Sequence, residues 1–150
     1  DQGIASLVWE GRSIHFHLDI LLLLEIMWVS LPCVFTIANV MLANNICDLE
    51  EDIVNKRFTL PFYIGRKRAI QLFNLLYILT FVAICSAALF GILPKGLLLS
   101  LLVVYPVHRY VTAFNKKQVK EETFQFAGKN LVLVNGTIVL LFTLGIVFSV

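Results

Sequence analysis

Charged side chains are scarce in this 150-residue sequence. Asp, Glu, Lys and Arg make up 15% of it, whereas hydrophobic residues make up 59%. A soluble domain has about 25% charged and about 45–50% apolar residues, so the composition excludes a water-soluble globular fold and indicates a membrane protein. The formal net charge is only +2, and we expect no nucleic-acid partner.

Cysteine is also rare, and its placement excludes two kinds of site. Cys33, Cys47 and Cys85 are scattered, and the sequence has no CxxC motif and no Cys/His cluster. Neither a disulfide framework nor a zinc site is therefore indicated. The first residues lack an initiating Met and a basic region, so they form no signal peptide. We interpret the sequence as starting partway through a longer chain.

Long apolar runs are abundant, and each is close to the roughly 20 residues that cross a bilayer as a helix. The four runs are residues 20–43, 69–91, 97–114 and 131–150. A shorter run at residues 4–9 is predicted to be the tail of an earlier helix. The fold class predicted is all-α: a polytopic transmembrane helix bundle of about four full spans plus the tail of a fifth. Residues 1–150 form a single transmembrane domain.

Basic residues are distributed unequally between the loops. Ten lie at the end of the third span or in the loops that follow the first and third spans: Lys56, Arg57, Arg66, Lys67, Arg68, Arg109, Lys116, Lys117, Lys120 and Lys129. Only Arg12 and Lys95 fall on the opposite side. By the positive-inside rule, we expect a multi-pass cell-membrane protein whose first and third loops face the cytoplasm. Residues 115–130, where phenylalanines interrupt the charges, are predicted to form an interfacial helix.

The segment 43–65 concentrates the acidic residues, since four of the ten carboxylates lie between Asp48 and Asp52. On a helix that turns ~100° per residue, one face collects several oxygen-bearing side chains: Asn44, Asp48, Glu51, Asp52 and Asn55. Such a face suits Mg²⁺, which prefers carboxylates together with substrate phosphates. Lys56 and Arg57 follow one turn later, where they can bind phosphate oxygens. A solvated loop is the alternative interpretation of the same pattern.

The run 44–52 reads NNxxDxxxD, and it is continued by NKRFTL at 55–60 and Ile-Gly at 64–65. This pattern resembles the second Asp-rich motif of the UbiA superfamily of intramembrane prenyltransferases. The paired Asn most resembles the branch that prenylates 1,4-dihydroxy-2-naphthoate in menaquinone biosynthesis. Residues 114–130 are also similar to the last cytoplasmic loop of that family.

The resemblance implies a nine-helix fold in which two Asp-rich motifs face each other across Mg²⁺ and a prenyl diphosphate. This chain corresponds to its C-terminal portion, because an NDxxDxxxD first motif is absent from the sequence. The partner it implies is the missing N-terminal half that carries the first motif. The 150 residues alone are accordingly expected to be inactive.

The resemblance also implies a role for individual residues. Asp48 and Asp52 are the catalytic residues, Asn44 joins them as metal ligands, and Lys56 and Arg57 contact the substrate diphosphate. Arg57 matches the position where the family usually has Lys. The sequence departs from the family pattern at three positions: Cys47 stands where Arg is common, Lys56 where Gly is common, and Tyr63 where Arg is frequent. Lys56 is interpreted as replacing one of the lost positive charges.

The activity implied is Mg²⁺-dependent transfer of a polyprenyl group from polyprenyl diphosphate to 1,4-dihydroxy-2-naphthoate, which gives demethylmenaquinone. Three alternatives remain: a UbiA-type enzyme with another aromatic acceptor such as 4-hydroxybenzoate, a cation transporter, and a non-catalytic membrane fragment. Transport sites usually lie at the bilayer midplane, whereas these carboxylates follow the end of a span. The chain must in each case contact membrane lipid.

Overall fold

The computed structural model describes residues 5–10 and 13–148, and it begins with a two-stranded antiparallel sheet. Strand β1 (Ala5–Glu10) pairs with β2 (Ser13–Leu18) in a register that places Ala5 opposite Leu18. The prediction of a helix tail is therefore wrong at residues 5–9, and residue 4 lies outside the described residues. The sequence of β2, SIHFHL, alternates polar and apolar residues, which is the period of a strand and not of a helix.

Helices form the rest of the described chain. They are α1 (Ile20–Cys47), α2 (Leu49–Val54), α3 (Leu60–Ile64), α4 (Arg66–Leu89), a 3₁₀ helix (Lys95–Val103) that leads directly into α5 (Val104–Lys116), and α6 (Gln125–Phe148). Four segments are long and apolar enough to cross a membrane: α1, α4, the 22-residue segment Lys95–Lys116, and α6. The predicted all-α polytopic bundle with four spans is confirmed.

Local chemistry explains where the first span begins and where the second ends. The Asp19 carboxylate accepts a hydrogen bond from the Leu22 backbone N–H at 2.9 Å and so caps the start of α1. After α4, Gly91 adopts a φ of +76°, and the next two backbone N–H groups both donate to the Ala87 carbonyl. This left-handed glycine reverses the chain. Trp28 near the start of α1 donates to Ser86 near the end of α4 at 3.1 Å, so the two helices are antiparallel.

The core lies where α1, α4, α5 and α6 meet. Ile46, Phe73, Phe114 and Val134, one from each helix, are all at most 1% exposed. The Phe73 and Phe114 rings lie 4.6 Å apart between centroids at a 33° tilt. Tightly packed rings at this contact hold the ends of α4 and α5 together beside the acidic segment.

Polar side chains inside the bundle join its helices. The Asn39 amide of α1 donates to the Phe73 carbonyl of α4 at 3.1 Å. The Asn135 amide of α6 donates to the Thr36 hydroxyl of α1 at 2.8 Å. Such hydrogen bonds stabilise helix association in lipid, where burial of apolar surface gives little driving force.

Residues 117–124 form a loop of turns, which we call the 117–124 loop. The Gln118 amide donates to the Phe114 and Asn115 carbonyls at 2.7 and 2.9 Å and so satisfies the C-terminal end of α5. The Thr123 hydroxyl accepts from the Val119 N–H at 3.0 Å and closes the loop. The predicted interfacial helix over 115–130 is therefore wrong, because these side chains satisfy the backbone locally and the rest of that segment belongs to α5 and α6.

Candidate active site

The acidic segment follows α1 almost without interruption. Asp48 is a single non-helical residue between α1 and α2, with φ −87° and ψ 4°. The spacing of the backbone bonds nevertheless continues across it, because the Asp48 N–H donates to the Asn44 carbonyl at 2.9 Å and the Asp52 N–H donates to the Asp48 carbonyl at 2.8 Å. Asn44, Asp48 and Asp52 therefore stay one turn apart, as predicted for a common face.

Helix α2 ends in a Schellman motif. The Lys56 N–H donates to the Ile53 carbonyl at 3.1 Å, and the Arg57 N–H donates to the Asp52 carbonyl at 2.7 Å. Lys56 consequently has a φ of +57°. Among the residues that the structure describes, it is the one non-glycine residue in this left-handed conformation. The Asp-rich motif that this segment resembles commonly has Gly at this position, because glycine adopts a left-handed conformation without steric cost.

Asp52 is the buried member of the acidic face, with 8% of its surface exposed. Its neighbour is Thr59, whose hydroxyl lies 3.4 Å from the Asp52 Oδ2 atom, which is long for a hydrogen bond of this type. A buried carboxylate with one weak partner has oxygen lone pairs left for another ligand. Asp52 therefore has both the position and the free acceptor capacity of a cation ligand.

Asp48 already has a cationic partner, and that partner comes from a distant part of the sequence. The Lys120 ammonium of the 117–124 loop donates to the Asp48 Oδ2 atom across 72 residues of sequence. Its hydrogen bond to Asp48 raises the pKa of Lys120, and the charges of Asp48, Glu51 and Asp52 raise it further. The ammonium of an ordinary lysine titrates near 10.4, so Lys120 remains charged throughout the neutral range. The contact also places the acidic segment and the 117–124 loop at one end of the bundle.

The other charged residues of the segment, Glu51 among them, are exposed to solvent. Glu50 accepts from Arg66 at 2.7 Å in an ion pair whose carboxylate side chain is 79% exposed. Lys56 and Arg57 are exposed, and within the described residues their side chains form no hydrogen bond or ion pair. The structure thus aligns Asn44, Asp48 and Asp52, but it brings neither basic side chain into contact with them.

The oxygen ligands of this face fit Mg²⁺ in chemistry, although they do not form a complete protein cage around a metal. Asn44, Asp48 and Asp52 supply oxygen atoms, which are the ligands of hard cations, and Mg²⁺ typically takes one or two protein carboxylates and completes its octahedron with phosphate and water. Among the described residues, no three His, Cys, Asp or Glu side chains gather around one point. The face therefore suits a metal that is shared with a phosphate-bearing substrate.

A cavity of about 300 Å³ lies between α4 and α5. Its lining is mainly apolar, but Asn74, His108 and Thr112 contribute polar atoms. The Asn74 Oδ1 atom is buried without a hydrogen-bond partner within the described structure, whereas the Thr112 hydroxyl lies 3.5 Å from the His108 Nε2 atom. An apolar cavity with a few polar atoms is typical of a small-molecule site.

A model of the UbiA prenyltransferase family matches residues 11–134, which is more than four fifths of the chain. The chain belongs to the UbiA prenyltransferase family. Transfer of a prenyl group is the activity of this family, and the acidic segment falls inside the matched region. No curated protein and no solved structure gives a significant match.

Lys120 is the residue at this site that the sequence did not single out. In the sequence it is one of several lysines after the third span, and it contributed only to the charge count of the loops. No local pattern distinguishes it from Lys116 or Lys117, because its contact with Asp48 depends on how α1, α5 and α6 pack. The hydrogen bond by which Thr123 closes the loop also has no signal in the sequence.

Proposed function

We propose that this chain takes part in Mg²⁺-dependent transfer of a polyprenyl group from polyprenyl diphosphate to 1,4-dihydroxy-2-naphthoate, which leads to demethylmenaquinone. The observation that carries the proposal is the alignment of Asn44, Asp48 and Asp52 at the end of a membrane span in a chain of the UbiA family. The NNxxDxxxD pattern supports the naphthoate branch.

Asn44, Asp48 and Asp52 would hold Mg²⁺ together with the substrate diphosphate. When bound, Mg²⁺ supplies positive charge that offsets the negative charge developing on the leaving diphosphate. Asp52 is held by burial and Asp48 by the junction between α1 and α2, so both carboxylates are positioned before the substrate arrives. In this proposal they are the catalytic residues.

Lys56 and Arg57 would contact the diphosphate oxygens. Both side chains are exposed and unpaired within the described residues, so phosphate binding would not require breaking another ion pair. The Schellman motif fixes the backbone from which they extend. Cationic side chains held next to a metal-binding face contribute to stabilising the leaving group as the C–O bond breaks.

The acceptor ring would form the new bond through a ring carbon and lose its carboxylate. The apolar helices would bind the polyprenyl tail and keep water from the reactive allylic carbon. We place the acidic segment on the cytoplasmic side, on the basis of the basic residues in its loop and in the 117–124 loop. A second Asp-rich motif, from an N-terminal half, would face this one across the diphosphate.

The proposal is tested by measuring prenyl transfer in membranes that carry the complete gene product, with 1,4-dihydroxy-2-naphthoate and 4-hydroxybenzoate as parallel acceptors. We expect product from the naphthoate alone, and its loss when EDTA removes Mg²⁺. Product from the benzoate alone would move the chain to another branch of the family. Absence of product from both acceptors would contradict the proposal and favour a cation transporter or a non-catalytic membrane fragment.

A further inference from the structure

One cationic side chain at the acidic face has no role in the function proposed above. Lys120 lies on the Asp48 carboxylate, which is the same group that we propose as a Mg²⁺ ligand. An ammonium on the Asp48 Oδ2 atom repels a divalent cation that approaches the same carboxylate. Lys120 therefore competes with a metal for Asp48.

The two partners of this ion pair differ in their freedom to move. The Asp48 side chain is 13% exposed and lies at the junction between two helices, whereas the Lys120 side chain is 48% exposed. Lysine has a flexible four-carbon stem with a compact charge at its end. The partner that moves is consequently Lys120, and Asp48 keeps its position.

The displaced ammonium would remain close to the acidic face. The backbone of the 117–124 loop is held by the Gln118 hydrogen bonds to α5 and by the closure between Val119 and Thr123. Lys120 is also attracted by Glu51 and Asp52 as well as by Asp48. A diphosphate bound at this face adds several negative charges within reach of the same side chain.

We infer that Lys120 occupies the cation position on Asp48 until a divalent metal takes it, and that Lys120 then binds the diphosphate that shares the metal. This inference rests on the proposed function, because it requires Asp48 to be a metal ligand. It adds a third cationic residue to the diphosphate site, contributed by the loop between α5 and α6. It also gives the metal-free protein an internal counter-ion for a largely buried carboxylate.

Two binding measurements on the purified complete protein in nanodiscs test the inference without any turnover. Binding of Mn²⁺ alone, a paramagnetic substitute for Mg²⁺, is followed by loss of the free-ion EPR signal. Binding of radiolabelled inorganic pyrophosphate is measured by equilibrium dialysis at saturating Mg²⁺. The variants are Lys120→Gln, Lys120→Arg and, as the matched control, Lys117→Gln, which removes the same charge from the same loop but from an ion pair with Glu122.

For Lys120→Gln we expect changes in opposite directions. Mn²⁺ should bind roughly two- to fivefold more tightly, because no ammonium competes for Asp48. Pyrophosphate should bind about tenfold more weakly, because a charge-assisted hydrogen bond is lost. Lys120→Arg should keep pyrophosphate binding near the wild-type value, and Lys117→Gln should change neither measurement. Size-exclusion profiles of all variants establish that each is folded.

Three outcomes would overturn the inference. These are no change in either measurement for Lys120→Gln, a change in Mn²⁺ binding without one in pyrophosphate binding, and equal changes for Lys117→Gln, which would indicate only long-range charge.

Asp48→Asn separates this failure from that of the proposed function. If Asp48→Asn binds Mn²⁺ as well as the wild type does, the metal site itself is wrong. If Asp48→Asn loses Mn²⁺ while the Lys120 variants are unchanged, only the role of Lys120 fails.

Discussion

The two connections that flank α4 differ in length and in the interactions that define their shape. The connection from α4 to the 3₁₀ helix, residues 90–94, is short, and a left-handed glycine and two bonds to one carbonyl define its shape. The connection from α1 to α4, residues 48–65, contains two short helices, a left-handed lysine, a buried carboxylate and an ion pair to a distant loop. Backbone geometry defines the first connection, whereas the second combines a Schellman motif with charged side chains.

A left-handed conformation occurs in both connections, but one is adopted by Gly91 and the other by Lys56. Glycine adopts it at no steric cost, whereas lysine adopts it against its preference. A non-glycine residue in this conformation is a candidate for a functional role, because its strain needs a compensating benefit.

The largest effect expected is on activity, from Asp48→Ala or Asp52→Ala. Either change removes a proposed metal ligand, so prenyl transfer in membranes should fall by at least about a hundredfold. Membrane insertion should be intact, because both residues lie beyond the end of α1. Glu50→Ala is the matched control, since Glu50 points to Arg66, and it should keep most of the activity. Full activity in either aspartate variant would contradict the metal assignment.

The next effect is on stability, from Gly91→Ala. A Cβ atom at this position meets nothing within 4 Å, so the cost comes from the φ of +76° alone. We expect the free energy of unfolding, measured by SDS titration, to fall by about 1 kcal/mol with little change in activity. Gly96→Ala is the control: its surroundings are equally open and its φ is not left-handed, so it should not destabilise. Equal losses in both variants would show that the turn geometry is not responsible.

Lys56→Gly is the reverse substitution in the connection from α1 to α4, because it places a glycine where a non-glycine residue is left-handed. Relieving the φ of +57° should raise the free energy of unfolding by about 0.5–1 kcal/mol, while loss of the charge should weaken pyrophosphate binding severalfold. Lys56→Ala removes the same charge but keeps the strained conformation. It should therefore weaken pyrophosphate binding equally without the gain in stability. Unchanged pyrophosphate binding in both variants would remove Lys56 from the diphosphate site.

The smallest effect is expected from Glu50→Gln. The Arg66–Glu50 ion pair is short, but its carboxylate side chain is 79% exposed to solvent. Exposed pairs of this kind contribute about 0–1 kcal/mol, so the free energy of unfolding should change by less than about 0.5 kcal/mol. A loss above about 1 kcal/mol would show that this pair, and not the Schellman motif alone, holds the connection between α1 and α4 in place.

The sequence predicts the four spans well, because a bilayer selects for length and apolarity, and both are visible in a run of residues. It also predicts the common face of Asn44, Asp48 and Asp52, since the helical period continues across the junction at Asp48. It does not predict that the spans extend past their apolar runs, as α4 does to Arg66. Helix propensity does not stop where hydrophobicity does.

The errors have physical causes of two kinds. At residues 4–9 the apolar content suggested a helix tail, but residues 5–10 form β1, which pairs with β2, and the residues of β2 alternate with the period of a strand. In the 117–124 loop, Gln118 satisfies the carbonyl end of α5 and Thr123 closes the loop, and no charge pattern predicts either contact. The contact between Lys120 and Asp48 spans 72 residues, so it depends on tertiary packing and has no local signal.

The 3₁₀ helix Lys95–Val103 also has a consequence for the membrane around the protein. A 3₁₀ helix rises about 2.0 Å per residue against about 1.5 Å in an α-helix, so its nine residues lengthen this span by roughly 4–5 Å. The 22-residue segment that contains it can match a thicker hydrocarbon layer than an α-helix with the same number of residues. Conversion of the 3₁₀ helix to an α-helix would shorten this segment by about the same 4–5 Å. We therefore expect activity in vesicles to depend least on the acyl-chain length of the lipid when the segment is free to convert between the two helix types.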